Sequence, residues 1–358
     1  MFWITRVNVA NRKWLETGSG YIANRDMAES AAELGFRHLN YFIYDANSDS
    51  DDALNARIDG ILSPLSPGDV VVVQFPTWQS IRFEQKFIGK LLSKKYIKTV
   101  LVIWDVKPWL HDASDRDFTQ EYAFQVMNRC DVVVSPNAKM SERLIMEGGV
   151  KTPIINMGLS DFFYYGHVQK KSFKKTISFV GTLDKTDFTG YHGNTQMNLI
   201  GNVSGLTAQE KEQSNLNILG EMKSNDIIPL LDGGFGLVSY SNSKNDTAKK
   251  RFPGAEKYGN YNNPLKLSLY LAAGLPVIVN SNSAHADLVR KEHLGLVIDD
   301  LNDIDSILDN MTEADYNIFS EHAWRYSGLL RCGFFSQNML MKVIDYLVFK
   351  REHVLHND

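Results

Sequence analysis

The 358-residue chain is short of cysteine, of unbroken apolar runs and of excess charge. Two cysteines, Cys130 and Cys332, cannot by themselves build a disulfide framework or a zinc site, so reduced thiols in a cytoplasmic setting are expected. A formal net charge of -4 argues against a general nucleic-acid binder, leaving Lys94-Lys95 and the Lys170 to Lys175 cluster as local basic surface. No apolar run approaches the roughly 20 residues that span a bilayer, and the first ten residues interleave charge with apolar side chains, without a signal-peptide core. A soluble or peripheral protein is expected. Internal repeats are missing, and the one polar tract, 47–52, reads as a solvated loop. Also missing are a full glycine fingerprint and a following acidic residue after the first strand, which argues against an oxidoreductase holding a dinucleotide there. No Asp-x-Asp pair closes a predicted strand; Asp115-Arg116-Asp117 stands in a polar segment with no strand before it, and no metal site is expected.

What is present is alternation. The length suggests about two domains, and a hydrophobic content of 44% is enough to fill two cores. Strands are predicted at 2–9, 39–44, 69–74, 98–104, 130–135 and 154–157, separated by helical patterns, one of which opens at Asn24 and ends at Gly35. A second series follows, with strands at 175–180, 217–219, 235–240, 277–279 and 296–298 and helices at 227–231, 284–292, 304–310, 313–327 and 337–351. Apolar strands alternating with helices imply parallel, doubly wound sheets of the α/β class, whose ligands lie outside the carboxyl ends of the strands. The boundary falls in the aromatic and lysine-rich 158–175 segment. The domains are thus 1–157 and 158–345 with a tail at 346–358, the last helix being placed to cross back onto the first domain.

Residues 262–279 carry the most information. Asn263 is a suitable N-cap, Pro264 suits the first helical position, Gly274 and Pro276 stop the helix, and Val277 to Val279 is a buried strand. Lys266 then falls in the first helical turn, where the macrodipole disfavours a cation by roughly 0.3–1 kcal/mol. A diphosphate reverses that penalty, because unpaired backbone N–H groups and an ammonium converge on it. The alternative is a lysine that lies along apolar surface with its amine in solvent. Strand ends supply further candidates. Gly18, Ser19 and Gly20 form a glycine loop after the first strand. Asp105 ends the fourth and can act as a general base for a sugar hydroxyl, or else cap the turn or pair with Lys107. Gly181 permits close backbone approach, and Thr182 and Lys185 can donate to an anion, although Lys185 can equally pair with Asp184 or Asp187. The 241–261 stretch is a polar loop of the kind that covers a site.

The segments 179–185, 233–238, 261–279 and 331–335 together resemble bacterial glycosyltransferases of the GT-B type, with two Rossmann-like domains facing a cleft. They are similar to the galactofuranosyltransferases and to the glucosyltransferases that extend O-linked N-acetylglucosamine on serine-rich-repeat adhesins. The resemblance covers roughly residues 175 to 345 and is weaker in the first half, through Gly18 to Gly20, the Asp26 helix and the Asp105 strand. It implies that the second domain holds the UDP moiety of a UDP-sugar around Thr182, Lys185, Leu219, Gly220 and the helix start Asn263, Pro264, Leu265, Lys266, Leu267, Ser268 and Leu269. The first domain would bind a glycan or glycosylated-protein acceptor, with Gly18 to Gly20 bordering the cleft. Two departures stand out: Leu269 occupies a position where many GT-B enzymes hold the ribose with glutamate, and Leu219 one where adhesin-group relatives carry tyrosine. The expected activity is metal-independent hexosyl transfer without a cofactor, from a glucosyl or galactofuranosyl donor. Asp105, and more weakly Asp26, would serve as base if the reaction inverts. Self-association is implied by resemblance only. A catalytically silent GT-B partner of a glycosylation complex is the alternative from another class.

Overall fold

The computed structural model describes residues 1–9, 18–110, 120–183, 188, 191–202, 206–238 and 254–350. Contacts divide the chain into two units: Met1–Trp109 with Ala113–Asp161 and Gly333–Asp358, and Leu110–Asp112 with Phe162–Cys332. Each contains one six-stranded, wholly parallel sheet among its described residues.

In the first half of the chain the order is β1 (Phe2–Asn8), α1 (Ser19–Glu33), β2 (Arg37–Phe42), α2 (Asp51–Leu62), β3 (Val70–Phe75), α3 (Ile81–Ser93), β4 (Lys98–Ile103), α4 (Lys107–Leu110), α5 (Gln120–Met127), β5 (Val132–Ser135), α6 (Ala138–Met146) and β6 (Ile154–Asn156). The strands lie in the order β2-β1-β3-β4-β5-β6. Every residue of β3 is buried, as β-branched strands covered on both faces must be. Helix α3 starts where Ser80 accepts the Phe83 amide, and it buries Phe83, Phe87 and Leu91 at helical spacing.

In the second half β7 (Ser172–Val180), β8 (Gln196–Ile200), α7 (Ala208–Glu212), β9 (Leu216–Gly220), α8 (Ser224–Ile227), β10 (Gly233–Val238), α9 (Ala255–Gly259), α10 (Leu265–Ala272), β11 (Val277–Asn280), α11 (Ala286–Lys291), β12 (Gly295–Ile298), α12 (Ile304–Asn310) and α13 (Glu313–Arg331) are followed by α14 (Phe334–Phe349). This sheet runs β12-β11-β10-β7-β8-β9. Its core joins Phe179, Met197, Leu199, Phe235, Leu237 and Ile278 to Tyr316 of α13.

Four expectations need correction. Strand β8 was not anticipated. Helix α1 begins at Ser19 rather than Asn24, with Gly18 as its N-cap, because Gly20 fits within the first turn against the Trp78 ring, which a Cβ would meet at 2.8 Å. The N-cap of α10 is Pro264, not Asn263. Finally, the second unit ends at Cys332 rather than at residue 345: α14 crosses back onto the first unit, as expected of the last helix, and there Met339, Leu340 and Val343 complete the core around Val72, Val102 and Val134. Asp161 closes this arrangement. Its buried carboxylate accepts the Phe335 and Ser336 amides at 3.1 and 2.7 Å, capping α14. Burial, with the nearby Asp26 charge adding to it, pushes its pKa up to about 6.

Candidate active site

Strand β7 is the pivot of the second sheet. The chain leaves it for β8 and β9 on one side, then returns to lay β10, β11 and β12 on the other. The carboxyl ends of β7 and β10 therefore flank the point where strand order reverses, the place where doubly wound sheets take ligands.

Helix α10 is anchored across that point by Tyr270. Its buried hydroxyl accepts the Val180 amide at 2.7 Å and lies 3.3 Å from the Leu237 carbonyl, tying the ends of β7 and β10 together. One turn earlier on the same face is Lys266. Its ammonium sits 4.0 Å from the Phe179 ring centroid, and a Cβ on Gly181 would stand 3.3 Å from Nζ. The amine thus points along β7 to its terminal turn. Gly181 has φ of 150°, a backbone state side chains rarely adopt, so both conformation and the neighbouring amine favour glycine there. Its N-cap, Pro264, makes no side-chain cap bond. Leu267 donates to the Pro264 carbonyl, and the Leu265 and Lys266 amides stand in the first turn of the helix.

Beside this turn the strand ends carry glycines. Gly181 donates to Ile200, and Gly201 donates to Gly220, so β7, β8 and β9 finish on three adjacent glycines. A Cβ on Gly201 would fall 1.8 Å from the Gly181 carbonyl oxygen. A flat group can approach this backbone edge closely, with the 37%-exposed Leu219 next to it.

The structure thus brings together Gly181, Thr182, Gly220, Pro264, Leu265 and Lys266 at one sheet edge, with Thr182 exposed. Lys185 lies outside the described residues. Leu267, Ser268 and Leu269 are buried in the unit, so the helix can offer its first-turn amides there but not those side chains. A ribose contact by the side chain at position 269 is excluded both by chemistry and by burial.

In the first unit the order reverses at β1 and β3. Gly18, Ser19 and Gly20 open α1, with Gly20 against Trp78 in the turn after β3. That turn is held from below by Glu84, whose Oε2 accepts the Thr77 amide at 2.7 Å and hydroxyl at 2.9 Å, while Tyr41 donates to the Thr77 carbonyl at 2.9 Å. Burial raises the Glu84 pKa, with the Thr77 bonds and Lys107 pulling the other way. Asp105 is half-buried in the turn after β4, between Trp104, which donates to Gln74 at 2.9 Å, and the buried Val106. Asp26, the weaker base candidate, is fully buried, its Oδ1 taking two bonds from Arg25 at 2.8 and 2.6 Å. It is a structural carboxylate, out of reach of solvent-borne substrate.

Sequence reasoning missed Tyr270, Gly201 and Glu84. Tyr270 was findable, lying four residues beyond Lys266 on one helical face. Nothing in the sequence distinguishes Glu84 from a surface acid.

Comparison with known proteins agrees with this architecture. The family model described as glucosyltransferase 3-like, N-terminal domain, matches residues 1–159, and the corresponding C-terminal domain matches residues 177–343. Glucosyltransferase 3 of Streptococcus gordonii is 30% identical over 342 residues, covering 95% of this chain and 98% of its own. The beta-1,6-galactofuranosyltransferase WbbI of Escherichia coli (strain K12) is 24% identical over 300 residues, 82% of this chain and 84% of its own. Among solved structures, sucrose-phosphate synthase from Thermosynechococcus elongatus superposes with a TM-score of 0.65 at 11% identity, covering 98% of this chain and 100% of its own, which establishes the shared GT-B fold. The chain belongs to the glucosyltransferase 3-like family and is a glycosyltransferase of the GT-B fold.

Proposed function

We propose that the protein transfers a hexosyl unit, glucose or galactofuranose, from a UDP-sugar to a hydroxyl of a glycan or glycosylated protein, without a divalent ion or cofactor. The observation that carries this reading is Lys266, whose amine lies over Phe179 and against Gly181 at the start of α10. As the bond between the anomeric carbon and the diphosphate oxygen breaks, negative charge gathers on that oxygen. A fixed ammonium and two first-turn amides stabilise it where a metal ion would otherwise serve. Thr182 adds a hydroxyl donor, and the glycine-ended strands accept the nucleoside close to backbone. The sugars named for the two relatives support the choice between glucose and galactofuranose. Asp105 is the base proposed for an inverting reaction, taking the acceptor proton.

The test is incubation with UDP-glucose, UDP-galactopyranose and UDP-galactofuranose against N-acetylglucosamine- and galactose-terminated acceptors, followed by mass. A gain of one hexosyl residue with release of UDP is expected. Intact folded protein that neither binds UDP nor labels any acceptor overturns the reading.

A further inference from the structure

A glutamine that follows a run of four valines, in a strand buried along its whole length, destabilises the fold unless its carboxamide finds partners. Gln74 finds them inside the first unit. Its backbone amide donates to Thr5 Oγ1 at 2.8 Å. Its Nε2 donates to the carbonyls of Thr5 at 2.8 Å and Asn24 at 3.0 Å, and its Oε1 accepts the Trp104 indole N–H at 2.9 Å. Gln74, Thr5 and Asn24 are all fully buried. Turning the carboxamide over would set its oxygen against two carbonyls and its amino group against the indole N–H, so a single orientation is stable. One planar group thereby joins β1, the second turn of α1 and the end of β4.

The arm toward β4 ends beside the proposed base. Trp104 immediately precedes Asp105, and its backbone amide donates to the Phe75 carbonyl at 2.8 Å, so backbone and indole are both held. On the far side of Asp105, Val106 is fully buried and its carbonyl accepts the Trp109 amide at 2.9 Å. The carboxylate is carried between two fixed neighbours. Trp104 packs against the core of the unit, a role that any aromatic ring could fill; what the indole adds is the N–H that reaches Gln74. A general base must stand within hydrogen-bond reach of the proton it takes, and a misplacement of about 1 Å costs roughly a hundredfold in rate. We infer that Gln74 and Trp104 are positioning residues for the transfer step: Gln74 holds Trp104, Trp104 fixes the turn that carries Asp105, and the same carboxamide ties that turn to β1 and α1. The inference rests on the function proposed above, in which Asp105 takes the proton of the acceptor hydroxyl as that oxygen bonds to the anomeric carbon and UDP departs.

A double-mutant cycle on the full chain tests this. UDP release from UDP-glucose and from UDP-galactofuranose, with N-acetylglucosamine- and galactose-terminated acceptors, is measured for the unaltered protein, Trp104→Phe, Asp105→Asn and the double variant. Trp104→Phe is expected to lower kcat roughly ten- to a hundredfold while the acceptor KM and the Kd for UDP stay within about threefold. In the Asp105→Asn background the same change is expected to lower the residual kcat less than about twofold, because no base is left to place. Gln74→Met, which keeps the indole but removes the oxygen it donates to, is expected to show the same split between kcat and KM, with UDP affinity as the control for folding. A Trp104→Phe effect equal with and without Asp105, confined to the acceptor KM, or absent, overturns the positioning role while leaving the proposed function standing. Full kcat in Asp105→Asn overturns the base assignment and this inference with it. Failure of the unaltered protein to release UDP with any of these pairs overturns the function itself.

Discussion

Lys266→Met removes the ammonium at the start of α10 while keeping an unbranched apolar stem over Phe179. Two small effects on folding oppose one another. The cation loses its place 4.0 Å from the Phe179 ring, worth about 0.5–1 kcal/mol. The helix start loses an unfavourable positive charge, worth roughly 0.3–1 kcal/mol. Net stability by urea unfolding is therefore expected to change by less than about 1 kcal/mol. Binding has no such cancellation. A charge-assisted bond to a phosphate oxygen contributes about 1.5–3 kcal/mol, so the Kd for UDP is expected to rise roughly ten- to a hundredfold. The salt dependence of UDP affinity should weaken as well, since one cation no longer takes part. Titration calorimetry at two ionic strengths reads both. An unchanged Kd together with a stability loss of more than about 1 kcal/mol would falsify the argument, because the lysine would then be a packing element and the helix start an ordinary terminus.

Tyr270→Phe removes the oxygen that the Val180 amide donates to, leaving a buried donor unsatisfied at a cost of about 1–3 kcal/mol. UDP affinity is expected to fall several-fold alongside, since the turn facing Lys266 loosens, and a titration showing normal affinity in a destabilised protein would separate Tyr270 from the site. Glu84→Ala strips the acceptor from both the Thr77 amide and hydroxyl, and urea unfolding should show a loss of about 3 kcal/mol; a loss under about 1 kcal/mol refutes the role given to that acid. Asp161 has a folded pKa raised from 3.8 to about 6, so its contribution is complete below about pH 4 and lost as pH rises through 6. Measured against Asp161→Asn, the stability of the unaltered protein is expected to decline by roughly 2 kcal/mol between pH 4 and pH 7; a flat or rising difference reverses the sign and rejects the cause.

How much of this was legible in the sequence depends on where the local signals lay. The α10 segment announces itself through Pro264, Gly274 and Pro276, residues whose backbone restrictions act without help from the rest of the chain. Strands such as β3 and β4 show as short apolar runs because both their faces are covered. Strand β8, Gln-Met-Asn-Leu-Ile, follows a glycine-bearing stretch and alternates polar with apolar residues for only four positions. Its identity as a strand comes from pairing with β7 and β9, a long-range fact, and Gly201 was missed with it. The convergence of Lys266 on the β7 turn followed from topology, since both a helix start and a strand end face the same sheet edge. Glu84 was invisible for the opposite reason. A carboxylate in the first turn of a capped helix looks ordinary until the Thr77 turn folds over it.

The membership of α14 in the first unit has a consequence for the order of events at the ribosome. Met339, Leu340 and Val343 are synthesised only after all of Phe162–Cys332 has been translated, an interval of roughly 10–30 s at usual elongation rates. Until then the apolar surface around Val72, Val102 and Val134 waits without its final cover. The amino-terminal half is thus the first to emerge and the last to be finished, and a nascent chain halted anywhere before α14 presents that surface to chaperones.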